Sequence, residues 1–102
     1  FQTAIVAGVQ AVKKTSDLIP MCHSLPLDGI DIDIQFLNKE SIQILCTVEM
    51  EGKTGVEMEA LTGASMAALT VYDMCNIISQ KMIIQEVMVI KKTGGKSDIL
   101  NE

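Results

Sequence analysis

Two segments in which every second residue is apolar constrain the fold of this chain more than any other feature. In residues 30–36, Ile and Phe alternate with Asp and Gln, and in residues 42–48 the even positions are again apolar. A period of two predicts half-buried β-strands. The intervening Leu37–Glu40 is typical of a turn, so the two strands are predicted to form an antiparallel hairpin with one solvated face.

Helices are predicted on both sides of the hairpin. Residues 3–14 have apolar side chains at helical spacing, and residues 15–17 (Thr-Ser-Asp) end that helix with side chains that compete for backbone hydrogen bonds. Residues 56–78 are rich in Ala, Met, Leu and Glu, which are strong helix formers. Residues 82–91 (MIIQEVMVIK) predict a final strand.

The predicted order of elements is α-β-β-α-β, which lacks only one strand of a ferredoxin-like βαββαβ domain. We therefore expect an α+β, ferredoxin-like fold with an antiparallel sheet, its first strand missing or clipped at Phe1. At 102 residues, the chain is expected to form a single, N-terminally truncated domain over residues 1–102.

The charge balance narrows the possible partners. The net charge is −5, which argues against sequence-independent binding of nucleic acid. A small phosphorylated ligand needs only local positive charge. All eight cations are lysines, so side chains must recognise phosphate through point charges rather than through the arginine fork.

The cysteines indicate a reducing compartment. Cys22, Cys46 and Cys75 are widely spaced and form no CxxC pair, which argues against a structural zinc site or a disulfide framework. No apolar stretch is long enough to cross a membrane, and no signal peptide is visible. These features predict a cytoplasmic location.

Several segments carry chemically useful side chains, each with an ordinary structural explanation. Lys13 and Lys14 suit a helix C-terminus, and Glu57 and Glu59 suit the first turn of a helix. Adjacent Cys and His residues usually point apart, so Cys22 and His23 make a poor nucleophile–base pair.

The other end of the long helix is less easily explained by structure alone. Asp73 lies where the helix dipole disfavours a carboxylate, and it shares a face with Asn76. If the helix is continuous, Glu59 and Asp73 lie roughly 21 Å apart. One small-molecule pocket in one subunit cannot easily hold both, so a shared ligand requires a site between symmetry-related subunits.

Three separated motifs resemble the cyclic pyranopterin monophosphate synthase family, the C protein of molybdenum-cofactor biosynthesis. They are KKTSDLIPMCHSLPL, KTGVEMEALTGASMAALTVYDMC and IKKTGGKS, in the family's order and approximate spacing. The resemblance implies a lyase that converts cyclised dihydro-GTP into cyclic pyranopterin monophosphate and releases pyrophosphate. It also implies a hexamer, a trimer of dimers with interface active sites, and no cofactor or metal.

The resemblance also implies roles for individual residues. Met21, Cys22 and His23 match the family's substrate-binding loop, and Glu57, Met58 and Glu59 match a second substrate-binding segment. Asp73 matches the catalytic aspartate. Lys13 and Lys92 match lysines that line the pocket, and Asp73, His23 and Lys92 are the expected catalytic groups.

This chain departs from the family pattern at three places. Asn76 stands where the family has a lysine, Ser24 replaces a proline, and a lysine expected just before Phe1 is absent. An amide supplies neither a proton nor a positive charge as an ammonium does. Two alternatives therefore stay open: a catalytically impaired member that binds substrate or assists assembly, and a thiol- or metal-dependent enzyme using Cys22 and His23.

Overall fold

The computed structural model describes residues 1–20, 26–50, 55–79, 81–92 and 99–100, with the backbone only for residues 91–92 and 99–100. Its elements, in chain order, are α1 (Gln2–Lys13), α2 (Thr15–Leu18), β1 (Gly29–Phe36), β2 (Ile42–Glu49), α3 (Glu57–Cys75), β3 (Lys91–Lys92) and β4 (Ile99–Leu100).

The predicted hairpin is confirmed. Strands β1 and β2 pair antiparallel, with Ile32 opposite Cys46 and Phe36 opposite Ile42. The outer face is exposed along both strands, whereas the alternate side chains on the inner face are buried or half-buried, Ile32 most completely. Phe36 is an exception at the end of the hairpin: it is 68% exposed and packs against the Phe1 ring, with 5.5 Å between centroids.

Helices α1 and α3 cross closely above the inner face of the hairpin. A Cβ at Gly8 would meet Ile32 Cδ1, and it would lie 2.9 Å from the Gly63 carbonyl oxygen. A Cβ at Gly63 would meet Val12 Cγ2 and would lie 2.7 Å from Cys46 Sγ. The two glycines therefore let the helices and the sheet approach to a distance that any larger residue would prevent.

The first helix ends as the sequence predicts, but a further helical turn follows it. Helix α1 stops at Lys13, and Thr15 Oγ1 donates one hydrogen bond shared between the Val12 and Ala11 carbonyl oxygens, at 2.9 and 3.3 Å. This is the competition for backbone groups expected of threonine. The one-turn helix α2 then begins at Thr15 itself.

The long helix is confirmed with a shorter C-terminal end than the one predicted. Helix α3 is continuous from Glu57 to Cys75. Residues 76–78 form a turn, in which the Ile78 and Ser79 amides both donate to the Cys75 carbonyl oxygen, at 3.0 and 3.1 Å.

The final strand predicted over residues 82–91 is wrong for most of its length. Residues 81–89 have no regular structure, and only Lys91–Lys92 forms a strand, paired with Ile99–Leu100. Glu86 has a φ of 56°, which a continuous strand cannot contain. The segment has a strand-like composition, but whether such a segment forms a strand also depends on its tertiary surroundings, which composition does not specify.

The α+β class is confirmed: two helices pack on one face of an antiparallel hairpin, in an arrangement compatible with a ferredoxin-like fold. In the described ranges, no helix is long and apolar enough to cross a membrane.

Candidate functional site

A cleft of about 220 Å³ opens where the end of α1 meets the beginning of α3. Its walls come from three parts of the chain: the α1–α2 junction, the segment entering β1, and the first turn of α3. The lining residues are Val12, Lys13, Thr15, Ser16, Leu27, Ile30 and Glu59. Two residues that the sequence assigns to substrate binding, Lys13 and Glu59, thus line one cleft.

Lys13 also borders a second, more open depression of about 310 Å³, which Asp28 and Gly29 line as well. Lys13 is exposed and is the last residue of α1. An ammonium group in this position can complement the helix dipole and still reach an anion in the cleft.

Helix α3 positions Glu59 in the lining of the same cleft. It lies in the first turn of that helix, where a carboxylate is electrostatically favoured, and only 4% of it is exposed. Its neighbours Glu57 and Met58 are half-buried and exposed, respectively, and neither lines the cleft. A carboxylate buried at a cleft wall can accept hydrogen bonds from N–H or O–H groups of a ligand.

Asp73 lies far from this cleft in the same subunit. Helix α3 is continuous, so the rise of 1.5 Å per residue places Asp73 roughly 21 Å along the axis from Glu59. Asp73 is exposed near the C-terminal end of the helix. One subunit therefore does not bring Asp73 together with Lys13 and Glu59.

The remaining assigned residues are not tested by these contacts. Met21, Cys22 and His23 lie outside the described residues, and Lys92 is described by its backbone only. The cleft nevertheless contains Ser16 and Leu27, which precede and follow the Met21–His23 segment in the chain.

The sequence motifs did not assign five of the residues that line the cleft to the site: Val12, Thr15, Ser16, Leu27 and Ile30. Thr15 and Ser16 directly follow the two adjacent lysines, so proximity in sequence was a usable signal for them. Leu27 and Ile30 carry no chemical signature, and only the packing of the chain places them there.

Cys46 is a thiol outside the cleft, on the inner face between β2 and α3. Burial, with a smaller contribution from the negative charge of Asp31, raises the pKa of Cys46 to about 11. The group is therefore a neutral thiol at physiological pH and a weak nucleophile. Among the described residues, no group of three or more His, Cys, Asp or Glu side chains is placed to hold a metal ion.

Comparison with known proteins identifies close relatives over almost the whole chain. The chain is 58% identical over 94 residues to a cyclic pyranopterin monophosphate synthase of Brevibacillus brevis and 52% identical over 94 residues to that of Peptoclostridium acidaminophilum. Each match covers 92% of this chain and 59% of the relative. A third relative is a molybdenum cofactor biosynthesis bifunctional protein of Synechocystis, 55% identical over 102 residues, covering 96% of this chain and 29% of the relative.

The chain thus spans only part of the length of each of these relatives. The family model described as the MoaC family matches residues 1–95, which include all the assigned site residues. The chain therefore belongs to the MoaC family.

Proposed function

We propose that this chain is the catalytic domain of a cyclic pyranopterin monophosphate synthase in molybdenum-cofactor biosynthesis. It would act as a lyase that converts cyclised dihydro-GTP into cyclic pyranopterin monophosphate and releases pyrophosphate. Membership in the MoaC family supports this activity, as do the two relatives, 52% and 58% identical, that are cyclic pyranopterin monophosphate synthases.

The observation that carries the proposal is the meeting of Lys13 and Glu59 at one cleft. The motifs assign both residues to substrate binding, although one belongs to α1 and the other to α3. Both residues line the same cleft of about 220 Å³. A cation and a buried carboxylate at one cleft suit a ligand that carries both phosphate and hydrogen-bond donors.

The lysines would hold the phosphates. The substrate carries a triphosphate, and the Lys13 and Lys92 ammonium groups would offset its charge and that of the departing pyrophosphate. Glu57 and Glu59 would accept hydrogen bonds from the ring system or the ribose, with Met58, Met21 and Cys22 as further substrate contacts.

Proton transfers would accompany the opening and closing of the rings. We assign Asp73 as the general acid/base, and His23 as the group that orients or protonates the substrate. Lys92 completes the proposed catalytic set. No step in this assignment requires a cofactor.

The distance along α3 supports a site shared between subunits. Asp73 would come from a neighbouring copy of the chain, in a hexamer built as a trimer of dimers in the cytoplasm. The surface around Asp73 suits such a contact: Ile77 and Ile78 are 95% and 86% exposed, and Leu69 and Met74 are more than half exposed. Several large apolar side chains exposed near one end of a helix are consistent with a protein interface there.

Single-turnover conversion of cyclised dihydro-GTP tests the proposal. The full-length wild-type protein should release pyrophosphate and form the pyranopterin, whereas Asp73→Asn should abolish turnover and leave the oligomer intact. Asp33→Asn is the matched control, because Asp33 lies on the exposed outer face of β1. Undiminished turnover by Asp73→Asn would exclude the proposed role of Asp73.

The same assay addresses the impaired-member alternative. If wild type binds substrate without converting it, and Asn76→Lys restores conversion, then the chain as it stands is a substrate-binding member of its family. If metal chelation stops turnover, the alternative that uses Cys22 and His23 is favoured instead.

A further inference from the structure

The hydroxyl of Thr15 is committed to the backbone at the edge of the cleft. Thr15 is 1% exposed, and its Oγ1 lies 2.9 Å from the Val12 carbonyl oxygen and 3.3 Å from that of Ala11. A hydroxyl has a single proton, so this is one shared, three-centre hydrogen bond with Val12 as its nearer acceptor. Thr15 therefore has no hydroxyl proton left to offer a ligand.

The hydrogen bond of the Thr15 hydroxyl satisfies carbonyl groups at the C-terminal end of α1, the helix that ends at Lys13. The last carbonyls of a helix lack partners within the helix, and helix ends fray when nothing satisfies those groups. The Lys14 amide also donates to the Ala11 carbonyl oxygen, at 3.1 Å. Two donors, the Thr15 hydroxyl and the Lys14 amide, thus stabilise the junction between α1 and α2.

The next turn is anchored to the same junction. The Asp17 amide donates to the Lys14 carbonyl oxygen at 2.9 Å, and the Ile19 amide donates to the Thr15 carbonyl oxygen at 2.9 Å. Lys13 lies between Val12, whose carbonyl accepts the Thr15 bond, and Thr15 itself. The backbone direction of Lys13 is therefore set by the hydrogen bond of Thr15, a residue that is almost fully buried.

We propose that Thr15 is a positioning residue, whose buried hydroxyl holds the end of α1 so that the Lys13 ammonium stays at the cleft that Glu59 also lines. The inference rests on the proposed function for the identity of the ligand, and on the described contacts for the placement of Lys13. Lysine has a flexible four-carbon side chain, so the region that its ammonium group can reach depends on the position and direction of its backbone. Thr15 acts through Lys13, because its own hydroxyl proton is committed to the backbone.

The central variant is Thr15→Val, which keeps the shape of the side chain and removes the hydroxyl. We expect KM for cyclised dihydro-GTP to rise about tenfold with a much smaller change in kcat, because a displaced binding group weakens substrate binding before it affects chemistry. Thr15→Ser keeps the donor and should restore KM. In a Lys13→Ala background, Thr15→Val should change KM little further, because the residue being positioned is absent.

A second measurement follows Lys13 without relying on turnover. Each lysine of the folded protein receives ¹³C-labelled methyl groups, and the Lys13 signal is assigned by its loss in Lys13→Arg. Thr15→Val should move the Lys13 signal, and Thr15→Ser should leave it in place. Thr70→Val is the matched control: Thr70 Oγ1 donates to the Met66 carbonyl oxygen at 2.8 Å within α3, away from Lys13, so the Lys13 signal should not move.

The outcomes separate the two proposals. An unmoved Lys13 signal in folded Thr15→Val, or an equal rise in KM with and without Lys13, would overturn the positioning role. Absence of turnover by wild type would count against the proposed function, while the Lys13 signal would still decide the role of Thr15. If Thr15→Val does not fold, Thr15→Cys carries the same test, because a thiol is only a weak donor.

Discussion

Gly8 of α1 lies against Gly63 of α3, so closely that a Cβ on Gly8 would come within 2.9 Å of the Gly63 carbonyl oxygen. In the reverse direction, a Cβ on Gly63 would lie 3.4 Å from the Gly8 carbonyl oxygen. This crossing holds the end of α1 beside the beginning of α3, which is where the cleft opens. The candidate site therefore depends on glycine at both Gly8 and Gly63, because neither has a side chain to push the helices apart.

Alanine at either glycine should destabilise the fold. Overpacking costs about 1–3 kcal/mol, and the higher helix propensity of alanine returns at most about 1 kcal/mol of that. We expect urea unfolding of Gly8→Ala and Gly63→Ala to have lower midpoints at an unchanged slope. Gly29→Ala is the control, because its Cβ would meet only Glu49, at 3.5 and 3.9 Å. Equal midpoints for all three variants would contradict the close crossing.

The raised pKa of Cys46 predicts a loss of stability in alkali. The folded-state pKa of about 11 lies above the ordinary value of 9.0, because burial disfavours the thiolate. The unfolded chain therefore releases this proton more readily. The contribution of the protonated Cys46 thiol to the free energy of unfolding is fully present below about pH 9 and is lost as the pH rises through about 11.

Urea midpoints measured across this alkaline range should fall more steeply for wild type than for Cys46→Ala, in which the titrating group is absent. Iodoacetamide should also modify Cys46 slowly in the folded protein, and rapidly once the protein is unfolded. Parallel midpoint curves for the two proteins would show that Cys46 does not titrate as its burial indicates.

A site shared between subunits predicts complementation between impaired variants. At a substrate concentration below the wild-type KM, Lys13→Ala should turn over slowly because it binds substrate weakly, and Asp73→Asn should not turn over at all when assembled alone. When the two are unfolded together and reassembled, some interfaces combine a wild-type Lys13 with a wild-type Asp73 from another copy, so activity should return. Mixtures no more active than Lys13→Ala alone, although mixed oligomers form, would place both residues in a single-subunit site or remove one of them from catalysis.

Asn76→Lys should stabilise the protein, and it also tests whether turnover needs the lysine that the family has at this position. Asn76 is exposed at the C-terminal end of α3, and the last turn of that helix contains no basic residue. A cation there interacts favourably with the helix dipole, by about 0.3–1 kcal/mol at low ionic strength. The unfolding midpoint should rise, and salt should reduce the gain.

Asn76→Gln is the neutral control for that change and should leave the midpoint where it is in wild type. If Asn76→Lys raises the midpoint by no more than Asn76→Gln does, the added ammonium group does not stabilise the C-terminal end of α3. Turnover is read in the same samples, so the effects of the lysine on stability and on chemistry are separated.

The amino-acid sequence by itself determined the features that depend on neighbouring residues. The alternation in β1 and β2 predicted the hairpin and its two faces, because side-chain direction in a strand follows a period of two. The composition of α3 and the competing hydroxyl of Thr15 likewise predicted a long helix and the end of α1. The order of the motifs indicated the family and the residues assigned to substrate binding.

Only the tertiary structure decided which of those residues meet. Lys13 and Glu59 share a cleft because Gly8 and Gly63 allow two helices to pack closely. The separation of Asp73 from Glu59 was already expected from the sequence, and the continuity of α3 confirms it. The segment 82–91 shows the same division, since its strand-like composition did not produce a strand over residues 81–89. Helix crossings and strand pairing join residues far apart in the chain, and their free energy depends on surfaces that a local pattern does not contain.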